Sequence, residues 1–132
     1  MSQVDIHVLA GRLYARRGEA VALARVSITD RDWQPAPNEC HRNIEALCAR
    51  DHSYTAVQGW LVADRSVLGI VWFQFYAHSV VESTSGGLLD ITPNPLERSY
   101  PFLRHEPADG DFDQFEEIGS VVFQADTDRP SV

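Results

Sequence analysis

Apolar positions along this chain are spaced first as helices and then as strands. Val4, Val8 and Leu13 lie loosely on one side of residues 3–17, which predicts a helix. Ala20 to Ile28 is apolar and β-branched enough for a strand, and Thr29, Asp30, Asp32, Pro35, Pro37 and Asn38 make 29–38 a loop. The clearest element comes next. Asn38 is a good N-cap, and Glu39 places a negative charge in the first turn, where it suits the helix dipole. Cys40, Ile44, Leu47 and Cys48 then follow at i, i+4, i+7 and i+8 as one helical stripe, with His52 near the negative end. Beyond it the period changes. Tyr54 to Val62 and Val67 to Val81 are rich in Val, Trp, Phe and Tyr and read as strands. Thr84 to Gly87 is a turn, Leu88 to Thr92 a short return strand, and Pro93 and Pro95 end the pairing. Tyr100 to Leu103 and Ile118 to Phe123 are two further short strand candidates.

The long strand alternates. Val71, Phe73, Phe75, Ala77, Ser79 and Val81 make a core face, while Trp72, Gln74, Tyr76, His78 and Val80 make a mixed one. One strong helix ahead of an antiparallel sheet predicts an α+β fold with the Cys40 helix packed on that sheet. The 132 residues suit a single domain, 1–132, long enough to need no disulfide or metal. A longest apolar run of Val67 to Phe73, with Asp5 in place of a basic leader, points to a cytoplasmic protein away from membranes.

Charge narrows the partners. All eleven basic residues are Arg, and residues 1–104 hold ten of them against eleven acids. Residues 105–132 hold eight acids and one Arg, so the net −8 sits almost wholly there. No positive face is available for nucleic acid. The acidic C-terminal segment reads as a solvated end or as a docking surface for a basic protein partner through Asp109, Asp111, Asp113, Glu116 and Glu117.

Three residues carry candidate chemistry. With Asn38 as cap, Cys40 is the second helical residue, where the dipole favours thiolate and unpaired N–H groups can stabilise an oxyanion. The bland alternative is a cysteine that only packs. His78 lies on the mixed face of the long strand. A loop of three or five residues centred on Thr84 places Asp90 directly opposite His78, about 5 Å away, whereas a two-residue turn at Ser85-Gly86 breaks that register. Thiol catalysis needs a thiolate, a base to hold and return its proton, and a group that orients the base. Cys40, His78 and Asp90 supply these three types.

The order of a helix-start Cys, a strand His and a strand Asp resembles the transglutaminase-like branch of the papain-like thiol hydrolases. Ala77-His78-Ser79-Val80-Val81-Glu82 and Gly86-Gly87-Leu88-Leu89-Asp90-Ile91-Thr92-Pro93 are similar to that group's His strand and Asp-x-Thr-Pro strand. Cys40-His41-Arg42-Asn43-Ile44-Glu45-Ala46-Leu47-Cys48 is similar to the helix of the protein N-terminal glutamine amidohydrolases, as are His78-Ser79-Val80-Val81, the Ser85-Gly86-Gly87 turn and Tyr100-Pro101-Phe102. The chain is much shorter than those enzymes, and its His-to-Asp spacing is tighter. The resemblance covers a catalytic-type core of about 34–103. It implies Cys40 as nucleophile, His78 as base and then acid, and Asp90 as orienting group, with no cofactor. The implied reaction is glutamine deamidation through a thioester, on a peptide or protein substrate carrying an amide. A thiol peptidase or cell-wall peptide hydrolase is the alternative within the class, and a non-catalytic binding module the alternative outside it.

Gln34 stands six residues ahead of Cys40, the offset of the papain-like oxyanion-hole glutamine. Asn43, one turn past Cys40, is expected to bond to backbone or water. A zinc site on both cysteines is excluded on a helix: eight residues at ~1.5 Å rise separate them by about 12 Å, while thiolates sharing a zinc lie within roughly 4 Å. Cys48 is then expected in the core, and His7, His41 and His105 at the surface.

Overall fold

The computed structural model describes residues 5–27, 33–36, 39–93 and 100–126. The expected cap Asn38, the loop residues Thr29, Asp30, Asp32 and Pro37, and Pro95 lie outside them. The fold is α+β, with three helices on a mixed six-stranded sheet. Helix α1 is Ile6–Ala15, opened by Asp5, whose carboxylate accepts from the His7 N–H at 2.8 Å. Helix α2 is Cys40–Arg50 and α3 is Asp113–Glu116. The strands are β1 Ala24–Arg25, β2 Thr55–Asp64, β3 Ile70–Glu82, β4 Leu88–Asp90, β5 Phe102–Arg104 and β6 Ser120–Asp126. Their order is β1-β4-β3-β2-β5, with β6 also on β3; β1 and β4 run parallel and every other pairing is antiparallel. The sheet is therefore mixed rather than purely antiparallel.

Alternation along β3 sorts the interior into two faces. On one, Phe75 joins Leu9, Ala10 and Leu13 of α1, Trp60 and Val62 of β2, and Phe112, Phe115 and Val121. Val81, on the same face, packs with Ile44 and Leu47 of α2 and with Ile91. Each of these large side chains contributes roughly 1.5–3 kcal/mol on burial. On the opposite face Val57, Val80 and Phe102 gather Leu23, Leu61 and Leu88. Gly59 sits on this second face directly beside His78, and a Cβ there would overlap the Leu103 carbonyl oxygen and the Phe102 ring. Absence of a side chain at 59 is thus what lets β5 close on β2.

The strand expected over Ala20 to Ile28 shrinks to Ala24–Arg25. Its partner β4 is only three residues long, so the ladder has nothing further to pair with. Val21, just before it, bridges instead to Phe102 of β5, so residues 21–25 reach from one side of the sheet to the other across the Leu23 cluster.

As far as residue 126, the acidic C-terminal segment is built into the fold. Phe112 and Phe115 enter the main core and β6 lies along β3. Asp109, 2% exposed, has its oxygens 2.7 Å from Arg12 Nε and 3.1 Å from Arg16 NH2, which ties the segment to α1. His105 is half-buried rather than at the surface: Nδ1 accepts from Trp60 Nε1 at 3.2 Å, and Nε2 donates to the Gly110 carbonyl at 2.8 Å. No described helix is long and apolar enough to cross a membrane.

Candidate thiol site

Helix α2 begins at Cys40 itself. Glu39 occupies the cap position without a side-chain bond, and its carbonyl takes the Asn43 N–H at 2.9 Å. Cys40 is therefore the first helical residue, one place earlier than expected. The N–H groups of Cys40, His41 and Arg42 precede the first helical hydrogen bond, so the positive end of the helix stands at the thiol. Asn43 fixes this end in place. It is buried; its Oδ1 accepts from the Ala36 N–H at 3.0 Å, and its Nδ2 donates to the Ala36 carbonyl at 2.8 Å and to Thr92 Oγ1 at 3.0 Å. One side chain joins the approach to α2, the helix and the chain just past Asp90.

Strand β3 presents its half of the site through a gap in the sheet. Strand β2 runs along one edge of β3 for ten residues. On the other edge β4 covers only Val81 and Glu82, while β6 covers Ile70 to Tyr76, and the Ala77 N–H goes to the Gly119 carbonyl at 2.8 Å. Residues 78–80 lie between those two partners. His78 and Ser79 point to opposite faces of β3, yet Cys40 reaches His78 and His41 reaches Ser79. Two adjacent helical residues can meet both faces only where the helix start abuts the strand edge, at this gap.

The β3–β4 hairpin turns through Thr84-Ser85-Gly86. Gly86 has φ 91°, and the Gly86 N–H donates to the Ser83 carbonyl at 2.9 Å, a turn closed by a left-handed glycine. Pairs Val81–Leu89 and Glu82–Leu88 centre the hairpin on Ser85, not on Thr84 as expected. The register is thus displaced by two residues, and continuing it sets Asp90 beside Val80, with His78 diagonal to it. A displacement of two keeps side-chain parity, so Asp90 still shares the face of His78. His78 Nε2 lies 3.2 Å from Asp90 Oδ2, an ion-pair distance whose N–H direction falls short of a hydrogen bond. Both groups are buried. Nε2 is thus the nitrogen beside Asp90, and the same ring neighbours the Cys40 thiol.

Electrostatics favour the charged pair. Burial pushes the Cys40 thiol up, but hydrogen bonds with His41 and His78 and their positive charge outweigh it and hold it at about 6. Burial pulls His78 down, but the Asp90 carboxylate and the Cys40 thiolate beside the ring outweigh that and raise it to about 9. Cys48 behaves oppositely. It packs beside the Ile44–Leu47 cluster, and burial alone raises it.

His41 is the residue that sequence reasoning missed. It was expected at the surface; its Nδ1 instead lies 2.5 Å from Ser79 Oγ and 3.8 Å from Glu116 Oε1, beside the Phe112 ring. Gln34 is exposed and lines a cleft of about 290 Å³ with Pro35, Asp90 and Thr92. No group of three or more described His, Cys, Asp or Glu side chains is placed to hold a metal. No protein-family model, curated protein or solved structure matches the chain.

Proposed function

We propose that the protein is a cysteine-dependent amide hydrolase of the transglutaminase-like, papain-like kind, acting on a glutamine carboxamide of a peptide or protein. The reading is carried by one observation: a thiol at a helix start, in contact with a histidine whose far nitrogen lies 3.2 Å from a buried carboxylate. In this mechanism the Cys40 thiolate attacks the amide carbonyl, and the N–H groups of the first turn of α2 stabilise the oxyanion. The His78 imidazolium gives its Nδ1 proton to the departing nitrogen, which leaves as ammonia. Asp90 keeps the ring oriented and stabilises its charged form. The thioester at Cys40 then hydrolyses to the carboxylic acid. Asn43 is a positioning residue for the whole assembly. A peptidase would use the same steps with an amine as leaving group. A basic protein partner would meet Asp111, Asp113 and Glu117, which are the solvent-facing acids among the described residues of the C-terminal segment.

Ammonia release from peptides with N-terminal or internal glutamine tests this reading. The active form needs Cys40 deprotonated and His78 protonated. Turnover is expected to rise with pH as Cys40 titrates near 6 and to fall as His78 titrates near 9. Release of amine without ammonia would move the assignment to a peptidase. A single ascending limb near pH 9, the behaviour of an ordinary thiol, would contradict the ion pair.

A further inference from the structure

Two imidazoles, His78 and His41, neighbour the Cys40 thiol, and the mechanism above uses only the first. His41 is held from three separate parts of the chain. It stands on α2, its Nδ1 meets Ser79 Oγ of β3 at 2.5 Å, and Glu116 of α3 lies 3.8 Å from the same nitrogen. Phe112 packs edge-on against the ring, with centroids 5.7 Å apart. A carboxylate on the Nδ1 side favours the tautomer protonated there, with Nδ1–H donating to Ser79 Oγ. Nε2 is then the unprotonated nitrogen of a ring that neighbours the Cys40 thiol. His78 sets the other nitrogen, Nε2, on its carboxylate, Asp90. Each ring thus has a carboxylate beside one nitrogen and the Cys40 thiol as a neighbour.

One imidazolium is enough to hold one thiolate and protonate one leaving group. Resting on the hydrolase reading above, we propose that His41 is a second catalytic base, which takes the proton from the water that hydrolyses the Cys40 thioester. In acylation the sulfur–carbon bond forms, the carbon–nitrogen bond breaks, and the His78 proton leaves with the nitrogen. In deacylation the water O–H bond breaks, its proton goes to His41 Nε2, its oxygen bonds to the acyl carbon, and Cys40 departs as thiolate. The product acid gives its proton to the released ammonia, and the proton on His41 returns to His78 by way of the Cys40 sulfur that both rings neighbour. Atoms and charge balance without any co-reactant.

The reaction itself supplies the neutral ring that this step needs. The hydrogen bond to Cys40 is the largest influence raising the His41 pKa; burial lowers it, the Cys40 charge and Glu116 raise it, and His78 lowers it. Acylation removes both Cys40 contributions and so favours the neutral, proton-accepting form of His41 when water must be activated.

The two half-reactions separate when the whole chain is acylated with p-nitrophenyl acetate, with p-nitrophenol release giving the burst and intact mass giving acetyl-Cys40. Loss of the burst in Cys40→Ala assigns it to that thiol. Asn at position 41 can keep the bond to Ser79 while removing the ring nitrogen that takes the proton. His41→Asn is therefore expected to retain the burst, to lose about 100-fold in steady turnover, and to accumulate acetyl-Cys40. His78→Asn is expected to slow the burst itself. Glu116→Gln, on the half-exposed outer side of the cluster, is expected to slow deacylation several-fold in the same sense and serves if His41→Asn does not fold. Unchanged turnover in both His41→Asn and Glu116→Gln, or burst and turnover falling together, would overturn the second base while leaving the hydrolase reading in place. Failure of the wild-type chain to acetylate at Cys40 would overturn both.

Discussion

Cys40→Ala is expected to abolish amide turnover, by at least about 10⁴-fold, because no other described group stands at the helix start to form the thioester. His78→Ala is expected to cost nearly as much, since the thiolate would lose the charge that stabilises it and the leaving nitrogen its proton donor. The two residues act as one unit, so the double variant should be little worse than Cys40→Ala alone. Steady-state ammonia release from the three variants checks this. Free energies that add between the two sites, or a His78→Ala protein keeping more than about a tenth of the activity, would remove His78 from the role of base. Circular dichroism separates loss of chemistry from loss of fold. The distinction matters because both His78 and its partner Asp90 are buried.

Asp109→Ala is expected to be the most destabilising single change among the acids. The carboxylate is almost wholly buried against Arg12 and Arg16, whose side chains are 49% and 17% exposed. Removing one partner of a buried pair leaves the other charge uncompensated, at a cost of about 3–5 kcal/mol. Arg12 can turn to water, so the lower figure, about 3 kcal/mol, is expected here. For a domain of this size that corresponds to a melting temperature lower by roughly 10 °C. Urea unfolding of Asp109→Ala beside Asp111→Ala, whose carboxylate is exposed, gives the comparison: the first midpoint should fall sharply and the second should scarcely move. Equal small shifts would return Asp109 to the solvated end that composition alone suggests.

That contrast shows where sequence reading stopped. Eight acids in the last 28 residues look like a solvated tail because charge is counted without partners. The signal was Phe112 and Phe115 three residues apart, one apolar helical stripe within the acids. Helix α2 was legible because Ile44 and Leu47 lie on one face and Val81 of β3 receives them. The alternation of β3 was legible for the same reason, a core face set by Phe75 and Val81. The hairpin was legible in parity but not in register: the left-handed Gly86 ends a three-residue loop about Ser85, one place later than Thr84, and a one-residue shift of the centre displaces the pairing by two. His41 was hidden because its partners are Ser79 and Glu116, 38 and 75 residues away, which no local pattern connects. Its place directly after a helix-start cysteine was the one clue that the sequence offered.

The central claim is an activated thiolate at Cys40, and its rate of alkylation by iodoacetamide between pH 5 and 9 tests it most directly. Mass spectrometry reads Cys40 and Cys48 separately in the same sample, so Cys48 is an internal control with its thiol pushed up by burial. Labelling of Cys40 is predicted to climb through about pH 6 and that of Cys48 only toward the alkaline end. Two cysteines labelling together, both rising only above pH 8, would contradict the account.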